Sequence, residues 1–152
     1  MARIIGIAFK VSERAPMQGL RWTSVSLEGG IEGDFRGRGG SSKKRQVTLL
    51  SLQQWQETCR RLGGVYLHWH TRRANILVDG LKFGPDDVGK IIRIGSVVLE
   101  VTGETKPCER MDEAYFGLKD ALAPDWRAGV TCRVVESGQF QLSCSVDYVS
   151  LP

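Results

Sequence analysis

The sequence has few of the residues that cross-link a chain or hold a metal. It contains four cysteines without a C-x-x-C pair and two histidines in 152 residues, which argues against a disulfide framework or a cysteine-rich zinc site. No apolar run approaches the roughly 20 residues that a membrane-spanning helix needs. The apolar stretch at residues 4–7 is too short for a signal peptide and has no cleavage signature. We therefore expect a cytoplasmic protein with reduced thiols and no membrane contact.

Length and composition indicate an ordinary globular domain. The hydrophobic fraction is 41% and the charged fraction 25%, and a chain of this length buries a core without staples. We predict a single domain over residues 1–152. The net charge of +4 favours anionic partners, which include phosphorylated cofactors as well as nucleic acid.

Strand patterns dominate the chain. Alternating or continuous apolar residues predict strands over residues 3–12, 45–50 and 96–102. In the second of these, Gln46 and Thr48 are expected to point outward. Residues 130–146 contain two apolar-alternating runs separated by Glu-Ser-Gly, which predicts a β-hairpin.

Two helices are predicted among the strands. Ser51 is a suitable N-cap for the first, with Gln54 as the reciprocal partner of a capping box. The second covers residues 111–122 and stops at Pro124. Many short strands with few helices predict a mainly β fold with helical insertions, arranged as a closed or nearly closed antiparallel β-barrel.

Cys108 is the leading candidate for a chemical role. It follows a predicted strand and precedes a predicted helix, so it would lie near the positive end of the helix dipole with Lys106 and Arg110 beside it. Both influences favour a thiolate, the form that binds metal or attacks sulfur. A buried structural thiol is the alternative. Packing on apolar faces better explains the other three cysteines, Cys59, Cys132 and Cys144.

One segment is biased in composition. Residues 36–45 read RGRGGSSKKR, where glycines let main-chain amides approach a phosphate and Lys43, Lys44 and Arg45 supply charge. A solvated surface turn is equally compatible with this composition. The RGRGG stretch is also compatible with RNA, although stacking aromatic residues are missing there.

Two further polar groups lie close together in the sequence. Arg72 and Arg73 precede Asn75, and arginine forks bind phosphate or carboxylate in a bidentate manner. Surface ion pairs with nearby aspartates are the alternative. His68 and His70 would lie on one side of an extended segment, but no third ligand is evident, so an ordinary strand or loop position is favoured over a zinc site.

Several segments, in this order, resemble the MOSC domain, the family named for the C-terminus of molybdenum cofactor sulfurase. They are GIEGD at 30–34, RQVTL at 45–49, RANI at 73–76, the strand at 97–102 preceded by Ile-Gly, and Pro107-Cys108. Their order and spacing match across most of the chain. A lone Pro-Cys after a strand makes the combination more specific than any one motif.

The resemblance implies a β-barrel-like fold with a cleft for a molybdenum-pterin cofactor. In such a domain Cys108 would ligate molybdenum or carry sulfur as a persulfide, and relatives include sulfurases and enzymes that reduce N-hydroxylated compounds. Arg73 and Asn75 would lie near the cofactor. From their charge, we expect the cofactor's phosphate to be served by Lys43, Lys44 and Arg45.

The resemblance also bears on partners. The chain has no room for a pyridoxal-phosphate desulfurase domain and no electron-transfer domain, so we expect it to bind no pyridoxal phosphate itself. A cysteine desulfurase or an electron-transfer protein would then supply sulfur or electrons. Arg36 stands where many relatives have histidine, and the C-terminal Gly-Asp-x-Val pattern is represented only by Val-Asp-Tyr-Val at 146–149.

The rival hypothesis is a non-catalytic basic β-barrel that binds nucleic acid through residues 36–45, with salt-sensitive affinity.

Overall fold

A computed structural model describes residues 1–38 and 43–151 of the chain. The strands in these residues are β1 (Arg3–Phe9), β2 (Gln18–Gly19), β3 (Trp22–Ser26), β4 (Gly30–Ile31), β5 (Val47–Ser51), β6 (Ile76–Asp79), β7 (Ile91–Ile94), β8 (Val97–Glu104), β9 (Val130–Glu136), β10 (Gly138–Gln141) and β11 (Val146–Val149). Eight strands form one sheet in the order β11-β7-β8-β9-β5-β6-β1-β2. A smaller sheet has the order β10-β3-β4.

Three α-helices accompany the strands within this part of the chain. They are α1 (Leu52–Arg61), α2 (Glu109–Ala114) and α3 (Leu118–Leu122). Short 3₁₀ turns lie at Arg36–Arg38, Lys43–Arg45, Trp69–Arg72, Pro85–Asp87 and Pro124–Trp126. No helix among the described residues has the length and apolar character needed to cross a membrane.

The large sheet is mixed and open, which corrects the predicted antiparallel barrel. The mainly β character with few helices is confirmed, but β5 and β6 pair in parallel, and neither sheet closes within the described residues. The sheet curves until its ends touch: Ile4 N donates to Cys144 O at 2.9 Å and Val146 N to Ala2 O at 3.0 Å. Only one isolated bridge, between Arg3 and Ser145, forms there. A single bridge joins the edges without making a ladder.

The predicted hairpin over residues 130–146 is wrong. Strand β9 pairs with β5 and β8, whereas β10 pairs with β3 in the small sheet. Ser96 contacts the start of β10: its side chain accepts from Gln139 N at 2.9 Å and its N–H donates to Gln139 O at 3.1 Å. All four cysteines are free, so no cross-link constrains this region.

The core lies on both faces of the central strands. On one face, side chains such as Leu49 and Ile76 pack with residues of the small sheet. On the other, Leu50 and Leu77 pack against the three helices. Because both faces of β5 are covered, Gln46 and Thr48 are buried, and the predicted outward orientation of these two side chains is wrong.

The helix predictions were correct in part. The Ser51 side chain accepts from Gln54 N at 3.2 Å and caps α1, as predicted. The Gln54 side chain bonds to Phe83 and Asp125 rather than back to the cap. The second predicted helix is two short helices, α2 and α3, because Gly117 adopts a left-handed φ of 92° between them.

Candidate functional site

Cys108 lies at the junction of a strand and a helix, where the sequence predicts it. It follows β8, occupies the N-cap position of α2, and is exposed. Its carbonyl oxygen accepts from Met111 N at 2.9 Å, which fixes the main chain while the thiol remains free. Helix α2 has only six residues, so its dipole contributes less than a full helix would.

A buried arginine lies beneath the Cys108 segment. Arg72 donates from Nε to Ala128 O at 2.9 Å and from Nη2 to Thr105 Oγ1 at 3.0 Å, and its Nη1 lies 3.8 Å from Met111 Sδ. Burial lowers the pKa of Arg72 to about 10, and the charge of Cys108 opposes that shift. All three acceptors are neutral, so Arg72 brings a buried positive charge next to the thiol.

A second guanidinium connects the arginine segment to the central strands. Arg36 donates to Thr48 Oγ1 and Asn75 Oδ1, both at 3.3 Å, and to Arg73 O at 3.2 Å. Asn75 is fully buried; its Oδ1 also accepts from Thr48 N at 3.0 Å and its Nδ2 donates to Ala8 O at 3.1 Å. Asn75 therefore orients Arg36, which in turn bonds to the main chain of Arg73. Burial lowers the pKa of Arg36, and the charges of neighbouring arginines lower it further.

Lys10 and Asp34 are two buried charged residues that lie close to Arg36. Lys10 is only 6% exposed and Asp34 is fully buried, and Asp34 Oδ1 accepts from Lys10 N at 3.0 Å. Burial lowers the pKa of Lys10 to about 8, with Arg36, Arg73 and Arg110 contributing and Asp34 opposing. Among the described residues Asp34 Oδ2 has no hydrogen-bond partner.

Arg73 is held in an uncommon conformation with unused donor capacity. Its φ is 64°, in the left-handed region, which costs a non-glycine residue about 1 kcal/mol or more. Its Nη2 donates to Glu13 O at 3.2 Å and also to Ala15 O. Its Nε is buried without a partner in the described part of the chain. Burial lowers the pKa of Arg73, as do the charges of Arg110 and Arg14.

The structure describes only part of the basic loop, residues 36–45. Residues 39–42 lie outside the described residues, as does the proposed anion cradle that they would form. Lys44 and Arg45 are exposed, and Arg45 lies close enough to Arg36 and Arg72 to lower the pKa of each. The backbone of Lys43 belongs to the 3₁₀ turn Lys43–Arg45. Arg36 turns inward to Asn75, so it is not presented to a nucleic acid.

The two histidines do not build a metal centre. His68 Nδ1 accepts from His70 N at 3.1 Å, and the two rings lie 4.4 Å apart edge to face. Burial and His68 both lower the pKa of His70. Within residues 1–38 and 43–151, no group of three or more His, Cys, Asp or Glu side chains is arranged to hold a metal ion.

The structure thus brings Cys108, Arg72 and Arg73 to one region together with Lys10 and Asp34, which the sequence did not single out. Lys10 belongs to a predicted strand as an ordinary polar residue, and the GIEGD segment that contains Asp34 is typical of a turn. Their roles depend on long-range contacts, such as the hydrogen bond from Lys10 N to Asp34 Oδ1, for which the local sequence carries no signal.

Comparisons with known proteins agree with this architecture. YuaD protein from Bacillus subtilis is similar with a TM-score of 0.80 and 20% identity, over 100% of this chain and 98% of that chain. YiiM from Geobacillus stearothermophilus has a TM-score of 0.78 and 16% identity, over 99% of this chain and 76% of that chain. YiiM from Escherichia coli has a TM-score of 0.73 and 15% identity, over 99% of this chain and 71% of that chain. Comparison with curated proteins gives no match.

Because the sequence identities are low, these structural similarities establish the fold alone. The family follows from the sequence itself. Residues 36–147 match the family model described as the MOSC domain, a stretch that includes the central strands, the arginine segment and Cys108. The family is associated in general with the molybdenum cofactor. The chain belongs to the MOSC domain family.

Proposed function

We propose that this chain binds a molybdenum-pterin cofactor and uses the Cys108 thiolate as a molybdenum ligand or as a persulfide carrier. The observation that carries the proposal is an exposed cysteine thiol, Cys108, in the segment between Thr105 and Met111, both of which contact the buried Arg72. Thiolate is a soft ligand that suits molybdenum and sulfur chemistry alike. The positive charge of the buried Arg72 would favour an anionic group bound in this segment.

The residues around Cys108 fit an anionic, phosphate-bearing cofactor. Arg73 has a buried Nε without a partner, which a ligand oxygen can satisfy. The Asn75 side chain already bonds to Thr48, Ala8 and Arg36 and would act on the cofactor by holding Arg36 in place. Lys43, Lys44 and Arg45 would serve the phosphate, with Lys44 and Arg45 exposed at the rim.

Two reactions are compatible with this site. The bound cofactor would supply two-electron oxygen-atom chemistry, in which an N-hydroxylated compound, two electrons and two protons give the amine and water. Electrons would come from an electron-transfer protein. In the alternative, a cysteine desulfurase would transfer one sulfur atom to the Cys108 thiolate, giving a persulfide for onward transfer.

The first test is metal analysis of protein made in a host that produces the cofactor. We expect molybdenum in the wild type and its loss in Cys108→Ser, because a serine hydroxyl is a poor ligand for a soft site. Cys144→Ser is the matched control, since Cys144 is also free and only partly buried. Equal molybdenum in wild type and Cys108→Ser would exclude the ligand role.

Intact-mass measurement of the same preparations separates the two roles. An added mass of one sulfur atom that disappears in Cys108→Ser supports the carrier role. A pterin released on denaturation supports the cofactor role. Protein with neither, from cofactor-producing cells that also contain desulfurase, would contradict the proposal as a whole.

A further inference from the structure

One main-chain oxygen in the site accepts hydrogen bonds from three cationic side chains. The carbonyl oxygen of Glu13 lies 3.3 Å from Lys10 Nζ, 3.2 Å from Arg73 Nη2 and 2.9 Å from Arg110 Nη1. A carbonyl oxygen has two lone pairs and only a partial negative charge. Three full positive charges directed at one such atom are better matched by an oxyanion.

The side chains around this oxygen repel one another. Burial is the main reason that Lys10 has a pKa of about 8, and the positive charges of Arg36, Arg73 and Arg110 lower it further. Asp34 is the buried carboxylate that opposes this effect. Lys10 and the three arginines carry four positive charges. They face two carboxylates, the buried Asp34 and the exposed Glu13, which pairs with Arg110, so the cluster still carries an excess of positive charge that a ligand anion would neutralise.

The segment that supplies the carbonyl lies at the surface of the molecule. Residues 12–15, which we call the strap, are exposed or half-exposed. Within the strap, Ala15 N donates to Ser12 O at 3.2 Å. Two ion pairs also hold it, Arg14 to Glu113 and Glu13 to Arg110, each at 3.4 Å. Ion pairs at the surface contribute about 0–1 kcal/mol each, so the strap is held mainly by the hydrogen bonds that its Glu13 and Ala15 carbonyl oxygens accept from the cationic side chains.

We propose that the strap is an internal competitor for the cationic cluster: its Glu13 and Ala15 carbonyl oxygens take the place of a ligand oxyanion, and an incoming oxyanion displaces it. The strap then opens when ligand binds. In naming the phosphate of the cofactor as the natural competitor, we rely on the function proposed above. The displacement itself concerns any tetrahedral oxyanion of similar size.

Tryptic cleavage after Arg14 measures the opening of the strap directly. Inorganic phosphate is the probe, compared with chloride at equal ionic strength, and the peptides are quantified by mass spectrometry. We expect cleavage after Arg14 to become about fivefold faster with phosphate, because proteolysis follows the population of the open segment. Cleavage after Arg21, an exposed site outside the strap, should not change. Unchanged or slower cleavage after Arg14 would overturn the proposal.

Phosphate affinity provides a second, independent measurement. Replacing residues 12–15 by Gly-Gly removes the competing carbonyls, and phosphate affinity should rise by about tenfold, or 1.4 kcal/mol. Lys10→Met in the shortened protein should abolish this gain. A shortened protein that binds phosphate no better than wild type would contradict strap competition. Both measurements use protein without molybdenum, so their failure leaves the metal test of Cys108 unaffected, and loss of the metal proposal leaves strap competition standing.

Discussion

Single charged side chains determine the character of this site because their charges lie inside the fold. Lys10 is 6% exposed and Arg72 9%, whereas most ion pairs of the chain lie at the surface, such as Arg60 with Glu57. A buried charge without a close counter-ion costs free energy in the folded state. The site therefore stores unfavourable electrostatic free energy that binding of an anion would relieve.

Lys10 makes this cost measurable through pH. Its pKa is about 8 in the folded protein against an ordinary 10.5, so below pH 8 the lysine is charged in both states and the folded protein carries the full cost. Between these two values the unfolded chain binds more protons, and stability rises with pH. The difference in unfolding free energy between wild type and Lys10→Met should change by about 2–3 kcal/mol from pH 7 to pH 10, in favour of wild type.

Urea unfolding at several pH values checks this expectation. Lys82→Met is the matched control, because Lys82 is exposed and its replacement should give a difference that is flat with pH. If the difference in unfolding free energy between wild type and Lys10→Met were also independent of pH, the fold would not penalise the charged form of Lys10.

At the scale of elements, the side chain of Gln54 links helix α1 to two other segments of the chain. Gln54 Oε1 accepts from Phe83 N at 3.0 Å, and its Nε2 donates to Phe83 O at 2.9 Å and Asp125 O at 3.1 Å. The side chain is buried. It therefore joins α1 to the two loops that contain residues 83 and 125.

Gln54→Ala should destabilise the protein by about 2–4 kcal/mol, because it leaves buried main-chain groups without partners. Gln56→Ala, an exposed position on the same helix, should change stability by no more than about 0.5 kcal/mol. Chemical unfolding of the two variants measures both values. Similar losses in the two variants would mean that helix propensity rather than the bridging amide sets the cost.

The elements also show what sequence patterns can and cannot predict here. The start of α1 was predictable because Ser51 and Gln54 form a local signal that needs no tertiary information. The break between α2 and α3 depends on one glycine, Gly117, within an otherwise helical pattern. The pairing of β10 with β3 joins residues that are more than 100 positions apart in the chain. Local patterns identify elements, whereas their partners depend on long-range contacts.

Within the site, too, some features follow from local sequence patterns and others from long-range contacts. The position of Cys108 between strand and helix follows from local periodicity. Asn75 belonged to a matched motif, but its complete burial and its bonds to Thr48 and Arg36 depend on how β5 and β6 pair. Lys10 and Asp34 come together only through the tertiary fold, because they are 24 residues apart.

At the scale of the whole molecule, the central strand β9 provides a probe of cooperative unfolding. Cys132 lies in β9 between β5 and β8 and is 0% exposed. Burial raises the pKa of its thiol above the ordinary range. Its reaction with a thiol reagent therefore requires the sheet to open.

In Cys108→Ser protein, alkylation of Cys132 should be slower than in the unfolded chain by about a thousandfold or more, since domains of this size are stable by about 5–15 kcal/mol. The rate should rise with urea in parallel with global unfolding. Wild-type Cys108, which is exposed, should react at a rate that urea barely changes below the transition. Peptide mass spectrometry distinguishes the sites. Rapid, urea-independent labelling of Cys132 would show that β9 opens locally.

The contact between the two ends of the large sheet has a consequence for self-association. Residues 143–146 bond to the start of β1, and the far edge of the sheet is β2, a strand of two residues. Free main-chain donors and acceptors along a sheet edge are what recruit a strand from another molecule into aggregates or fibrils. Here the start of β1 is occupied by the chain itself and the edge strand β2 is too short to template a neighbour, so the curvature that stops short of closure still protects this side of the sheet from intermolecular pairing.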